Sequence, residues 1–166
     1  MLAANRVERT TGARASNPSL LTGMVFDETG ERLTPTHAVK KGTRYRYYVS
    51  TSLTTGAGRT RSSGRRIPAG NLEGLVINRL RTFLADPGAI LDAVDNDSHS
   101  GSGRSQLIDR GRQIAEELGA PAPDKVKAAL MTLLCRVEIK SDRVEITLSR
   151  GRLTQLLAGS LDLSLD

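Results

Sequence analysis

The spacing of apolar side chains changes along this chain from two residues to about 3.6 residues, and this change constrains the fold most. Residues 43–50 alternate, so that one face of an extended segment carries Tyr45, Tyr47 and Val49. Alternation with Tyr and Val predicts a strand. From Leu72 to Leu84 the apolar residues recur at helical spacing instead, and Pro87-Gly88 ends the pattern. A chain with both periods is predicted to belong to the α+β class.

The amino-terminal part holds further extended and irregular segments around that strand. Residues 1–19 are polar, lack an apolar period and are predicted to be a linker. Residues 20–26 are predicted to form a strand, and residues 32–34 are predicted to return beside it as a second strand. The turn between them has Asp-Glu-Thr-Gly composition. Residues 35–42 and 51–64 are predicted to be loops, because the first is rich in turn residues and the second in Thr, Ser, Gly and Arg.

The carboxy-terminal part is predicted to be helical, with one β-hairpin near its end. Residues 89–94 predict a further helical turn, and residues 105–118 a second helix with a thin apolar stripe. Asp124 is the predicted N-cap of a third helix. Residues 136–148 predict a hairpin that turns at Ser141-Asp142, and a short helix with three leucines closes the chain.

These elements predict a small antiparallel β-ribbon with an inserted helical hairpin arm and a carboxy-terminal helix, β-hairpin and helix. The chain has 166 residues, enough for one ordinary domain or two very small ones. Four segments are predicted: a linker, a basic β-ribbon, a helical arm and a closing module. Their boundaries are residues 1–19, 20–66, 67–118 and 119–166.

The charge of the chain is concentrated in one stretch. Lys and Arg number 24 against 18 Asp and Glu, a formal charge of +6. Residues 32–72 contain no acidic residue at all, whereas ordinary solvated faces mix both signs. This stretch therefore predicts a polyanionic partner. Its basic residues are Arg32, Lys40, Lys41, Arg44, Arg46, Arg59, Arg61, Arg65 and Arg66.

The strand within this stretch suits double-stranded DNA. A two-stranded β-ribbon fits the major groove, and arginine bonds bidentately to guanine. We expect Arg44 and Arg46 to face the DNA while the tyrosine face supports the ribbon. The arginines from residue 59 to residue 66 are expected to form an arm that folds onto phosphates. The predicted DNA-binding set is the basic residues named above together with His37. The competing interpretation is the solvated face of an antiparallel sheet.

Several chemistries are not expected from this chain. Cys135 is the single cysteine, and His37 and His99 are the two histidines, whereas a structural zinc site needs about four ligands. Neither histidine has the setting of a buried base beside a nucleophilic serine. We therefore predict no catalysis, metal or cofactor. No apolar run approaches the roughly 20 residues that span a bilayer, so a cytoplasmic protein without membrane contact is expected.

Four runs of this sequence resemble the large serine recombinases, which are site-specific integrases and resolvase-like transposases. They are residues 17–27 (NPSLLTGMVFD), residues 32–42 (RLTPTHAVKKG), residues 44–50 (RYRYYVS) and residues 66–73, where a helix opens. The resemblance implies a recombinase zinc-ribbon region followed by the start of a coiled-coil insertion. It further implies that the ribbon contacts attachment-site DNA and that the arm mediates pairing of recombinase dimers at synapsis.

The sequence departs from the family pattern at the metal ligands and at the nucleophile. Many relatives carry a Cys-x-x-Cys-Gly knuckle where this chain has Phe26 to Gly30, and the later ligands would fall near Ser50 and near Ser62 or Ser63. A metal-free ribbon is therefore expected, with Phe26 replacing the metal by packing. The family's nucleophilic serine belongs to an amino-terminal resolvase domain without a counterpart here, so we expect a non-catalytic fragment of a recombinase.

Two other functions remain open at the level of sequence. One is a protein-interaction module that works through the helical arm, and the other is an RNA-binding module that stacks bases on the tyrosines. Self-association is expected to use the arm, because an apolar stripe lies beside a polar tip at residues 95–103. That stripe is Leu75, Leu80 and Leu84.

Overall fold

A computed structural model describes residues 19–56, 64–94, 101–161 and 163. The first half of the chain forms β1 (Val25–Asp27), β2 (Leu33–Lys40), β3 (Thr43–Ser50), α1 (Thr51–Thr55) and β4 (Arg66–Pro68). The second half forms α2 (Ala69–Ala85), α3 (Pro87–Ala93), α4 (Gly101–Gly119), α5 (Pro123–Leu133), β5 (Leu134–Ile139), β6 (Val144–Leu148) and α6 (Arg150–Leu157). The α+β class is confirmed.

The strands form two three-stranded sheets. Strand β1 belongs to the sheet of β5 and β6, whereas the sequence predicted that it pairs with the strand that follows it. It pairs in parallel with β5, so that Val25 lies opposite Val137, while β5 and β6 form the predicted hairpin. The predicted pairing of residues 20–26 with residues 32–34 is therefore wrong, apart from one isolated bridge between Phe26 and Arg32. Val25 and Val137 are both fully buried, and burial beside a distant strand outweighs the local turn.

The second sheet has the order β2, β3, β4, and its longest part is a hairpin of two eight-residue strands. The turn is Lys41-Gly42, and both residues have positive φ, 50° and 78°, as a tight two-residue hairpin requires. The prediction of a loop at residues 35–42 is thus wrong, because residues 35–40 belong to β2 and pair with β3 along their whole length. Pro35 is tolerated there because β2 is an edge strand. Residues 51–55 are helical rather than loop.

The helices agree with the predicted ones except at their starts. The first was predicted from residue 67, but residues 66–68 pair with β3, so α2 begins at Ala69. Asp124 is not the N-cap, because α5 begins at Pro123 and Asp124 lies in its first turn. Proline suits this position, since its missing N–H would have no helical partner there. None of the described helices combines the length and the apolar character needed to cross a membrane.

Most buried apolar side chains form one cluster that runs from Leu21 to Leu157. The predicted boundaries after residues 19, 66 and 118 stay predictions, and the core runs across the last two of them. Leu80 and Leu84 are only 2% and 1% exposed, whereas Leu75 is 47% exposed. Two of the three leucines expected to mediate self-association therefore pack inside the chain, and the expectation of a free apolar stripe is wrong for them.

Candidate nucleic-acid interface

The outer half of the β2–β3 hairpin extends beyond the rest of its sheet. Strand β4 pairs only with Tyr47, Tyr48 and Val49, so residues 37–46 form a two-stranded ribbon, which we call the ribbon tip. The exposed side chains of the ribbon tip are His37, Val39, Lys40, Lys41, Thr43, Arg44 and Tyr45. Lys40, Lys41 and Arg44 form no salt bridge with any residue that the structure describes. The tip is therefore a projection with uncompensated positive charge.

The register sorts these side chains onto two faces, because residues directly opposite one another point to the same side. Val39 lies opposite Arg44, and His37 lies opposite Arg46, which places these four on one face. Ala38 lies opposite Tyr45 on the other face, and Lys40 pairs with Thr43 beside the turn. Each face of the tip thus carries at least one cation.

Closer to its base, the same ribbon is anchored by a buried carboxylate. Glu73 on α2 is 4% exposed and accepts from Arg46 twice, at 3.2 Å on Oε1 and 3.0 Å on Oε2. Its Oε1 also accepts from the Tyr48 hydroxyl at 2.8 Å and from the backbone N–H of Leu20 at 2.9 Å. The Tyr48 hydroxyl accepts in turn from the backbone N–H of Leu21 at 2.9 Å. One carboxylate therefore joins β3, α2 and the turn before β1.

This anchor changes the roles expected for the two faces. The predicted alternation is confirmed, but Tyr48 is fully buried while Tyr45 is 45% exposed. The support therefore comes from the arginine face, and the expectation that the Tyr45 face supports the ribbon is wrong. Burial and the Glu73 carboxylate raise the pKa of Tyr48 well above its ordinary value. The hydroxyl thus keeps its proton and donates to Glu73 across the whole ordinary pH range.

Arg66 adds a cation on the outer side of the sheet. Its guanidinium lies 4.0 Å from the centre of the Tyr47 ring, and the Arg66 residue is exposed. Such cation–π stacking fixes the guanidinium plane while leaving its N–H groups available for further hydrogen bonds. Arg66 therefore retains the donors that a phosphate would accept.

Two other predicted contacts are engaged in holding the structure together. Arg65 donates to Glu28 at 2.8 Å and to the Lys140 carbonyl at 3.1 Å, which ties the segment before β4 to the turn between β5 and β6. Arg32 lies 5.5 Å from the centre of the Phe26 ring. Arg59 and Arg61 lie outside the described residues.

The turn at residues 26–30, where the resembling recombinases carry a zinc knuckle, does not fit a metal. The Phe26 ring contacts the guanidinium groups of Arg32 and Arg136, and the latter is 4.1 Å from the ring centre. One Asp27 carboxylate oxygen accepts from the N–H and hydroxyl of Thr29 and from the N–H of Glu31, at 2.9, 2.6 and 2.9 Å. No group of three His, Cys, Asp or Glu side chains suited to a metal occurs among residues 19–56, 64–94, 101–161 and 163.

Asp27 takes over the role of ordering this turn. Burial raises the pKa of its carboxyl, but hydrogen bonds from Thr29 and Glu31, with the charge of Arg65, outweigh it, so the pKa lies below its ordinary value. Ser50, the position of a later ligand, accepts at its hydroxyl from the backbone N–H of Arg65 at 2.9 Å. Ser62, Ser63 and His99 lie outside the described residues.

A strong chelator is expected to leave the melting midpoint of the chain unchanged. The turn at residues 26–30 is ordered by hydrogen bonds and cation–π contacts, which a chelator does not remove. Thermal unfolding with and without excess 1,10-phenanthroline measures this. A fall of several degrees in the presence of the chelator would show that a metal stabilises the fold.

Glu73, Tyr48 and Arg136 are the residues whose roles the sequence analysis missed. Glu73 had a signal, because it is the first acidic residue after the acid-free stretch and follows it at the start of a helix. A lone carboxylate in that position is the nearest candidate partner for one of the preceding arginines. Arg136 had none, since it reaches Phe26 only through the pairing of β1 with β5.

Comparison with known proteins finds solved structures that match this chain at low sequence identity. No family model and no curated protein matches the chain. One solved structure, described as "Sequence Requirements of the Listeria innocua prophage attP site", is 16% identical over 87% of this chain with a TM-score of 0.43. Another, described as "Crystal Structure of a LSR-DNA Complex", is 17% identical over 87% of this chain with a TM-score of 0.47. This chain spans 52% and 62% of those two chains.

Proposed function

We propose that this chain is a DNA-binding module of a large serine recombinase and that it binds duplex DNA through the ribbon tip. The observation that carries the proposal is the projection of Lys40, Lys41 and Arg44 from a two-stranded ribbon without a described acidic partner. A ribbon of this kind fits the major groove of B-DNA, and cations displace the counterions condensed on its phosphates.

The proposed contact set is narrower than the basic residues of the sequence. His37, Lys40, Lys41, Arg44 and Arg66 are exposed on the ribbon tip or beside it, and we assign them to DNA. Arg46 is assigned to the anchor, since its side chain is 14% exposed and bound to Glu73. Arg32 and Arg65 contact other residues of the chain, and we assign them a smaller contribution to DNA binding. Arg59 and Arg61 stay proposed phosphate contacts.

The recombinase part of the proposal comes from the runs of sequence that resemble this family. In that proposal the ribbon contacts attachment-site DNA, the chemistry belongs to a catalytic domain elsewhere in the recombinase, and this chain has no catalytic role. A role of helices α2 and α4 in synapsis is proposed on the same basis alone. Competition between duplex DNA and single-stranded RNA distinguishes the proposal from base stacking on Tyr45 and Tyr47.

The triple change Lys40→Ala, Lys41→Ala and Arg44→Ala is expected to remove most of the salt dependence of DNA binding. Each phosphate contact contributes about −0.9 to the slope of log affinity against log salt. If about half of the nine basic residues between Arg32 and Arg66 contact phosphate, the unaltered chain should show a slope of about −4. The triple change removes three cations that displace counterions, whether they contact a phosphate or a base edge, and should make the slope shallower, to roughly −1. Fluorescence anisotropy with a labelled duplex at several salt concentrations measures both slopes.

The matched control is the triple change Lys125→Ala, Arg150→Ala and Arg152→Ala. These side chains are exposed on α5 and α6 and form no described salt bridge, so the control removes the same net charge from outside the ribbon. We expect it to keep a slope near −4. Equal slopes for the two triple variants would mean that the ribbon tip is not the DNA-binding surface. An unaltered chain that binds no duplex at low salt would contradict DNA binding altogether.

A further inference from the structure

We propose that the face of the ribbon tip formed by His37, Val39 and Arg44 reads base edges, and that Val39 contacts the C5-methyl group of a thymine in the major groove. This inference rests on the proposed function, because it assumes that the ribbon tip binds duplex DNA. It adds a specificity-determining contact to a surface so far argued from charge.

Val39 is the most exposed of the large apolar side chains in the described residues. It is 67% exposed, against 45–54% for Tyr45, Leu53, Leu75 and Met131. It lies one residue before Lys40 and two before Lys41, and opposite Arg44. Its position, rather than its exposure alone, carries the inference, because single exposed apolar residues are common and valine favours strands. Among three cations that would contact DNA, Val39 is the one side chain of this group that can contact an apolar atom of the same partner.

The major groove offers such a group in one place. Each thymine presents its C5-methyl group there, beside the acceptor and donor atoms that identify the other bases. The minor groove presents no methyl group, so an apolar contact of this kind also specifies which groove the ribbon enters. Val39 and the methyl group would exclude water from each other, while the neighbouring cations remain in contact with the DNA.

The spacing on the ribbon agrees with the spacing of base pairs. Val39 and Arg44 are directly opposite, so their Cβ atoms lie about 4.5–5.5 Å apart. Consecutive base pairs are about 3.4 Å apart along the helix axis, so the two side chains reach the same step of the duplex. Arg44 has the donor geometry for guanine, and Val39 has the apolar surface for an adjacent thymine. His37 is two residues along β2, about 7 Å from Val39, and reaches a further base pair.

The remaining cations have different positions and are assigned to phosphates. Lys41 lies in the turn, and Lys40 lies on the face opposite to Val39. Arg46 shares the face of Val39, but its charge is neutralised by Glu73. The base-reading face thus ends where the anchor begins.

The test replaces thymine methyl groups one at a time. Duplexes bound by the full chain are first enriched from a random-sequence pool, and each thymine of the enriched site is then changed to deoxyuridine, which lacks only the methyl group. For the unaltered chain, we expect one position at which this change weakens binding roughly fourfold, the effect of one buried methyl group. Val39→Ala should bind the thymine and deoxyuridine duplexes equally at that position.

Two further variants separate a specific contact from a general loss of apolar surface. Val39→Ile keeps the methyl groups and should keep the sensitivity to deoxyuridine. Met131→Ala removes a side chain that is 54% exposed on α5, away from the ribbon, and should also keep it. If Val39→Ala responds to deoxyuridine as the unaltered chain does, or if no position responds, the contact is overturned while DNA binding stands. Failure of the unaltered chain to bind any duplex would overturn both proposals.

Discussion

Replacing Glu73 with alanine is expected to lower the free energy of unfolding by about 3–5 kcal/mol, the cost of breaking a buried ion pair from one side. The change leaves the Arg46 guanidinium, whose side chain is 14% exposed, without its carboxylate. It also removes the acceptor of the Tyr48 hydroxyl and of the Leu20 N–H. Urea denaturation measures the loss.

The exposed pair Arg65–Glu28 supplies the control. Its side chains are 28% and 45% exposed, so Glu28→Ala should cost less than about 1 kcal/mol. The double change Arg46→Met and Glu73→Leu removes both charges, and we expect it to recover most of the stability. Equal stability of the Glu73→Ala and Glu28→Ala variants would show that the Glu73 network stabilises the fold no more than an exposed ion pair does.

Gly111→Ala is expected to lower the free energy of unfolding by about 1–3 kcal/mol, because the added methyl group would overpack the site. Gly111 is buried where α4 crosses the end of α2, and an added Cβ would lie 2.7 Å from the Leu84 carbonyl oxygen. It would also collide with the side chain of Ile90 on α3. A side chain can move aside, but a backbone carbonyl moves only if the helices separate.

Gly74→Ala is the matched change and should have the opposite sign. Gly74 lies within α2, and an added Cβ meets no atom within 4 Å. Alanine in a helix interior stabilises by roughly 0.5–1 kcal/mol relative to glycine. Thermal unfolding of both variants under one condition tests the pair. Stabilisation by Gly111→Ala would show that α4 does not approach α2 as closely as the structure has it.

Local patterns were sufficient for the elements whose residues lie close together in sequence. The strand at residues 43–50 has the predicted bounds, and the hairpin near residues 136–148 and the helix ending at residue 85 were placed within a few residues. Period and turn composition act over a few residues, which is why they sufficed. They failed for residues 35–42, where the pairing partner decided the outcome.

The sequence by itself determined that the excess of positive over negative charge lies in residues 32–66 and that a Tyr-rich strand lies within this stretch. Only the tertiary structure decided which of those cations are available. Arg46 is neutralised by a carboxylate on α2, and Arg65 is held by Glu28 and the Lys140 carbonyl. Lys40, Lys41 and Arg44 project from a ribbon that extends past its sheet. The physical reason is that desolvation and ion pairing depend on neighbours in space, and these neighbours come from distant parts of the chain.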